Sequence, residues 1–160
     1  MILTKVIQAI QPLQVIGNTG NLQLLHIRHL LIDSRLLGSE AQHTLFFALQ
    51  STKNNGAKYI PQLLQQGVTC FVIEQFNPEL NNLTKTINHA ENAVFIVVND
   101  TLSALQQLAI YKRSLYQGPV IGITGSNGKT VVKEWLYQLL KDDYYITRSP
   151  KSYNSQIGVP

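Results

Sequence analysis

With 160 residues, 44% hydrophobic and 14% charged, the chain carries enough apolar material for a core and is not disordered. Its net charge of +4 comes without a Lys/Arg run, so it presents no stripe for nucleic acid. Cys70 is the only cysteine, which excludes an intrachain disulfide, and no apolar run approaches the roughly 20 residues that cross a bilayer.

Residues Thr4 to Ile10 read as a short opening helix, capped by Thr4, with Val6, Ile7 and Ile10 on one face. The first residues lack the features of a signal peptide, so a cytoplasmic protein is expected. Gly17 to Asn21 is a turn cluster. Partial alternation from Leu22 to Asp33 suggests a strand or two, ended by Asp33-Ser34-Arg35. A polar trio at a strand end is either a functional loop or an ordinary turn.

Thr44 to Leu49 is a strongly apolar strand, and Lys53 to Gly56 a turn. Ala57 to Gln66 reads as a helix with Ile60, Leu63 and Leu64 inward and Gly67 as its stop. Val68 to Glu74 is a strand in which Cys70 is buried and inert. A polar, irregular stretch from Gln75 to Glu91 leads to a buried strand, Ala93 to Val98. Leu102, Leu105, Leu108 and Ala109 recur at helical spacing within Thr101 to Tyr116. Gly118-Pro119 then breaks the chain. The domain boundary is placed there: residues 1–117 form one domain and 118–160 begin another. His26, His29, His43 and His89 are dispersed, which argues against a zinc site.

The most informative stretch is Val120 to Thr130. It reads as a buried strand, a glycine-rich loop and the start of a helix, Val131 to Leu140. That order suits phosphate binding. Thr124, Gly125, Ser126, Asn127 and Gly128 supply a tightly turning backbone whose N–H groups approach phosphate oxygens. Lys129 reaches the outer phosphates, and Thr130 offers a hydroxyl to Mg²⁺. The strict P-loop pattern requires glycine at position 123, where this chain has Ile123. Tyr144 to Arg148 reads as a further strand. Strands alternating with helices indicate an α/β protein with parallel or mixed sheets. Residues 118–160 supply too little sheet to stand alone, so the chain is expected to be the N-terminal part of a longer ATPase-like protein.

The stretch Gly122 to Thr130 resembles the ATP loop of the Mur ligases, the cytoplasmic enzymes that build the peptide stem of the bacterial cell-wall precursor. The order Asp33-Ser34-Arg35, Leu45-Phe46-Phe47-Ala48-Leu49, Asn55-Gly56 and Gly67-Val68 is similar to the MurF type within that family. Asn154 followed by Ile157-Gly158-Val159-Pro160 matches its Asn-rich segment. The family often has Asp-Gly-His where Asn55-Gly56-Ala57 stands, and Ser155 replaces the second Asn of a pair. Lys133-Glu134-Trp135-Leu136, Arg148-Ser149-Pro150 and Ser152 to Gln156 look like a subgroup fused to a C-terminal alanine racemase, which uses pyridoxal phosphate.

The resemblance implies a substrate-binding domain followed by the first strand, P-loop, helix and strand of a parallel-sheet ATPase domain. It implies ligation of D-alanyl-D-alanine to UDP-N-acetylmuramoyl-tripeptide through an acyl phosphate, with ATP and Mg²⁺. Lys129 and Thr130 are then catalytic, Thr124 to Thr130 and Asn154 hold the nucleotide, and Ser34, Arg35, Phe47 and Ala48 serve the UDP-substrate. Phe47 as core and Asn154 as a turn residue stay open alongside those roles. A non-catalytic UDP-sugar or nucleotide-binding module and a folate-type glutamate ligase are the alternative readings.

Overall fold

The computed structural model describes residues 1–52, 54–77 and 92–149. The chain divides into two units, Met1–Arg113 and Ser114–Pro160. In the first, the described residues form a five-stranded sheet of β1 (Gln14–Gly17), β2 (His29–Leu31), β3 (Thr44–Phe47), β4 (Cys70–Glu74) and β5 (Val94–Val98). The strand order is β1-β5-β4-β3-β2. Strands β2 to β5 run parallel, and β1 closes the far edge antiparallel to β5.

Helices cover both faces, which is why the central strands are continuous apolar runs without alternation. Leu45 and Phe47 of β3, Cys70 and Val72 of β4, and Val94 and Ile96 of β5 pack with Leu3, Val6 and Ile10 of α1 (Leu3–Ile10). Ala104, Leu105 and Leu108 of α3 (Thr101–Ser114) complete that face. Their neighbours Phe46, Phe71, Ile73 and Phe95 point the other way, onto Ile60 and Leu63 of α2 (Ile60–Gln65). Phe46, Phe71 and Phe95 are register partners across three strands. Phe46 meets Phe71 edge-on at 6.3 Å, and Phe71 stacks on Phe95 at 5.2 Å. Such contacts add to plain area burial.

Several local expectations change. The first helix begins at Leu3 with Ile2 as an uncapped N-cap, so Thr4 lies inside it. The helix expected from Ala57 opens as a 3₁₀ turn, Gly56–Tyr59, before α2, which has a proline in its first turn. Gly67 does end that helix, at φ +91° with its N–H donated to the Leu64 carbonyl. Strand β1 had no sequence signal. Four residues after a proline make a weak pattern, and their pairing with β5 is supplied from far along the chain.

Gly56 is where the 3₁₀ turn crosses the chain leaving β3. A Cβ there would lie 2.9 Å from the Ala48 backbone. Gly56→Ala should therefore destabilise the unit by about 1–3 kcal/mol, the usual cost of overpacking. Urea unfolding checks this; an unchanged midpoint would contradict the close approach.

In the second unit, α4 (Lys129–Leu140) forms as expected. The flanking segments do not become strands: 120–124 and 144–148 make no ladder. Ile121 is 64% exposed, so the expected buried strand is an uncovered apolar segment here. A strand exists through its partners, and among the described residues none pairs with it.

Candidate functional site

Within the second unit, residues 124–128 are exposed and lead directly into α4. Gly125 adopts φ +142° and Gly128 φ +78°, conformations that side-chain-bearing residues rarely take. A Cβ on Gly128 would meet nothing within 4 Å, so its requirement is conformational and the loop surface is open. Gly128 is also the N-cap of α4, with no side-chain cap bond. The first N–H groups of the helix therefore point to the loop with its partial positive charge, an arrangement suited to an anion. Lys129 folds back over the loop. Its Nζ donates to the Gly125 carbonyl at 2.5 Å and to the Ser126 carbonyl at 3.5 Å. The ammonium thus lies against the backbone turn that a phosphate would approach. Thr130, next in the chain, is exposed in the first helical turn. These residues fit a nucleotide phosphate and one Mg²⁺ ligand. Among the described residues, no group of three or more His, Cys, Asp or Glu could hold a metal. Asn154 lies outside the described residues.

In the first unit, polar residues gather where the parallel strands end. Open α/β sheets bind ligands beyond the carboxyl ends of their strands. Asp33 follows β2 and caps the 3₁₀ turn Ser34–Leu36 by accepting from the Arg35 N–H. The Arg35 side chain closes back on the same carboxylate, with Nε to Oδ1 at 2.9 Å and Nη2 to Oδ2 at 2.6 Å. This fork holds the Asp33 carboxyl down at about 2. The guanidinium itself is largely exposed, and Ser34 is half-buried beside it.

The depressed value makes a testable statement. The Asp33–Arg35 pair is present above the unfolded carboxyl value of 3.8 and is lost only as pH falls through about 2. A carbon-detected NMR titration should place the Asp33 midpoint near 2, and Arg35→Met should return it toward 3.8. An unshifted midpoint in the unmutated chain would dissolve the pair.

Phe47 and Ala48, expected to line the UDP-substrate site, are fully buried. Phe47 packs against the α1 and α3 side of the sheet, and Ala48 lies on the α2 side beneath Gly56. They support the strand ends and present no surface to a ligand here.

Sequence reasoning missed Asn77, which follows β4. It is buried and exchanges two amide hydrogen bonds with Asn55, at 2.7 and 3.0 Å. Asn55 Oδ1 also accepts from Ala57 N–H, the capping bond that the family's Asp could make. The amide adds a donor toward Asn77 that a carboxylate lacks. Asn55 and Asn77 are far apart in sequence, so no motif announces the pair.

Cys70, His29 and His43 sit in structural contacts. Cys70 is buried, which pushes its thiol up and away from reactivity. His29 lies against Glu40, which Arg28 also grips, and His43 Nδ1 contacts the His26 carbonyl. No helix among the described residues is long and apolar enough to cross a membrane.

Residues 26–113, more than half of the chain, match the Mur ligase family, catalytic domain. The UDP-N-acetylmuramoyl-tripeptide–D-alanyl-D-alanine ligase of Bacillus subtilis is 34% identical over 119 residues, 74% of this chain and 24% of that one. The UDP-N-acetylmuramoyl-L-alanyl-D-glutamate–2,6-diaminopimelate ligase of Bacteroides thetaiotaomicron is 32% identical over 143 residues, 88% of this chain and 26% of that one. A crystal structure of MurF from Acinetobacter baumannii matches with a TM-score of 0.75 and 27% identity, covering 98% of this chain and 31% of that chain. MurF of Thermotoga maritima, solved in complex with ADP, matches with a TM-score of 0.64 and 25% identity over 82% of this chain and 27% of that one. The chain thus spans about a quarter to a third of the length of these proteins. The mostly parallel sheet, its polar strand ends and the match over residues 26–113 together make this chain a member of the Mur ligase family.

Proposed function

We propose that this chain is the N-terminal part of an ATP-dependent amide ligase that adds D-alanyl-D-alanine to UDP-N-acetylmuramoyl-tripeptide in peptidoglycan precursor synthesis, in the cytoplasm. The observation that carries this reading is the likeness to a MurF structure along 98% of the chain. Residues 1–117 would bind the UDP end of the substrate, and 118–160 would begin the ATP-binding domain.

ATP supplies the γ-phosphoryl that turns the substrate carboxylate, a poor acyl donor, into an acyl phosphate. The chain's own residues contribute position and charge. The backbone of Gly125 to Gly128 and the start of α4 receive the phosphates. Lys129 leaves the Gly125 and Ser126 carbonyls and neutralises the outer phosphate oxygens. Thr130 is the candidate Mg²⁺ ligand, and Asn154 a further nucleotide contact. Ser34 and Arg35 hold the anionic UDP-sugar; Arg35 keeps its fork geometry through Asp33.

One second reading has its own support. The diaminopimelate ligase relative matches 88% of this chain, so the acceptor amine could be the diamino acid. ADP release by the full-length protein separates the two. It should require UDP-N-acetylmuramoyl-tripeptide and D-alanyl-D-alanine together. Release that instead requires the dipeptide-stage precursor and diaminopimelate would replace the first reading with the second. Release independent of any acceptor would leave a nucleotide-binding module. The 160-residue chain alone should give no turnover. An alanine racemase fused downstream, with pyridoxal phosphate, belongs to the same proposal on the sequence of residues 133–136, 148–150 and 152–156; racemisation of L-alanine by the full-length protein tests it.

A further inference from the structure

Strands β2 and β3 are parallel neighbours, so the segments that follow them leave the sheet at the same edge. Arg35 follows β2. The 3₁₀ turn Gly56–Tyr59 follows β3 and carries an exposed lysine, Lys58. Lys58 Nζ lies 5.0 Å from the centroid of the Tyr59 ring, within cation–π range. Tyr59 is half-buried and packs on the α2 side of the core. Asp33 foremost holds the Arg35 guanidinium in its charged form, and the Tyr59 phenol acts on it in the same direction. One aromatic side chain thus borders two cations.

The backbone that carries Lys58 is fixed at several points. Gln50 bridges Asn55, and the Gly56 N–H donates to the Leu49 carbonyl at 2.9 Å. Asn55 caps the turn by accepting from the Ala57 N–H at 3.0 Å, and it is paired with the buried Asn77 beyond β4. The Lys58 side chain therefore starts from a rigid base, and little backbone freedom is lost when it meets a ligand.

Charge sets what that ligand can be. Asp33 takes Nε and Nη2 of Arg35, so the two residues are neutral as a unit while Nη1 is left for a ligand. A diphosphate carries more than one negative charge, which a neutral pair does not balance. Among the described residues no carboxylate pairs with Lys58, so its charge is available. We propose that Lys58 is a second cationic contact for the diphosphate of the UDP-substrate, acting beside Arg35 at the ends of β2 and β3. This rests on the reading of residues 1–117 as the UDP-binding domain, and not on which amine is ligated.

The test is UDP affinity of the full-length protein, measured by calorimetry at low and high salt. Lys58→Met should weaken binding roughly tenfold at low ionic strength, as expected for one lost charge-assisted contact. The gap should close toward about 1 M salt, where charges are screened within about 3 Å. Lys58→Arg should keep most of the affinity. A gap that does not change with salt would mark a merely structural role and overturn the proposal. A second, local readout is amine acetylation of Lys58 followed by mass spectrometry. UDP should protect Lys58, and inorganic pyrophosphate should do so in part, whereas uridine should not. Protection by uridine equal to that by UDP, or none by UDP, would overturn the proposal. Unchanged UDP affinity in Lys58→Met would remove this contact alone. Absence of UDP binding by the unmutated protein would remove the UDP-binding reading and the contact together.

Discussion

Lys129→Ala in the full-length protein should lower turnover by roughly 10²- to 10³-fold, the range seen when one donor to a developing charge is removed. The helix itself should survive, because its first turn is held by backbone, including the Val132 N–H to the Gly128 carbonyl at 2.9 Å. The lost group is the ammonium that rests on Gly125 and Ser126. Affinity for the UDP-substrate should stay within about twofold, since the Asp33–Arg35 fork belongs to the other compact unit. Steady-state kinetics and a separate binding titration with the UDP-substrate measure the two quantities. Equal losses in both would contradict the division of labour between the units.

Phe47→Ala carries the second large effect, and it falls on stability. Phe47 is wholly buried between β3 and the helices α1 and α3. Truncation removes the ring and leaves a cavity, at a cost of about 3–5 kcal/mol. Against a total of about 5–15 kcal/mol for a typical domain, that is enough to unfold a sizeable fraction at 37 °C. Phe47→Leu keeps most of the volume and should cost about 1 kcal/mol. Urea unfolding of the 160-residue chain, followed by circular dichroism, gives both values. A small stability loss in Phe47→Ala, combined with selective loss of UDP-substrate binding, would return Phe47 to the ligand site.

These two residues also show what the sequence made legible. The run Thr44 to Leu49 announces a buried strand, and so do the runs around Phe71 and Phe95. Burial on both faces, however, erases the alternation that would say which way Phe47 points. Only the register with Val72 and the packing of α1 and α3 decide that. The loop was legible because Gly125, Gly128 and Lys129 act locally: the glycines' positive φ values and the lysine's reach are set within a few residues. Features made by distant partners were not. Strand β1 exists through β5, and Asn77 matters through Asn55. Val120 and Ile121 have strand composition, but a strand needs neighbours to complete its ladder. The polar trio Asp33-Ser34-Arg35 combines both readings. It is an ordinary capped turn, and it presents an exposed guanidinium at the strand ends.

The central claim is that the substrate carboxylate is activated by phosphoryl transfer. The most direct measurement uses full-length protein, Mg·ATP, D-alanyl-D-alanine and UDP-N-acetylmuramoyl-tripeptide labelled with ¹⁸O in its terminal carboxyl group. An acyl phosphate passes one carboxyl oxygen to the departing phosphate when the amine attacks carbon. Mass spectrometry should therefore find ¹⁸O in the inorganic phosphate, formed together with ADP and the ligated product. Unlabelled phosphate alongside product, or AMP and pyrophosphate in place of ADP, would contradict the account.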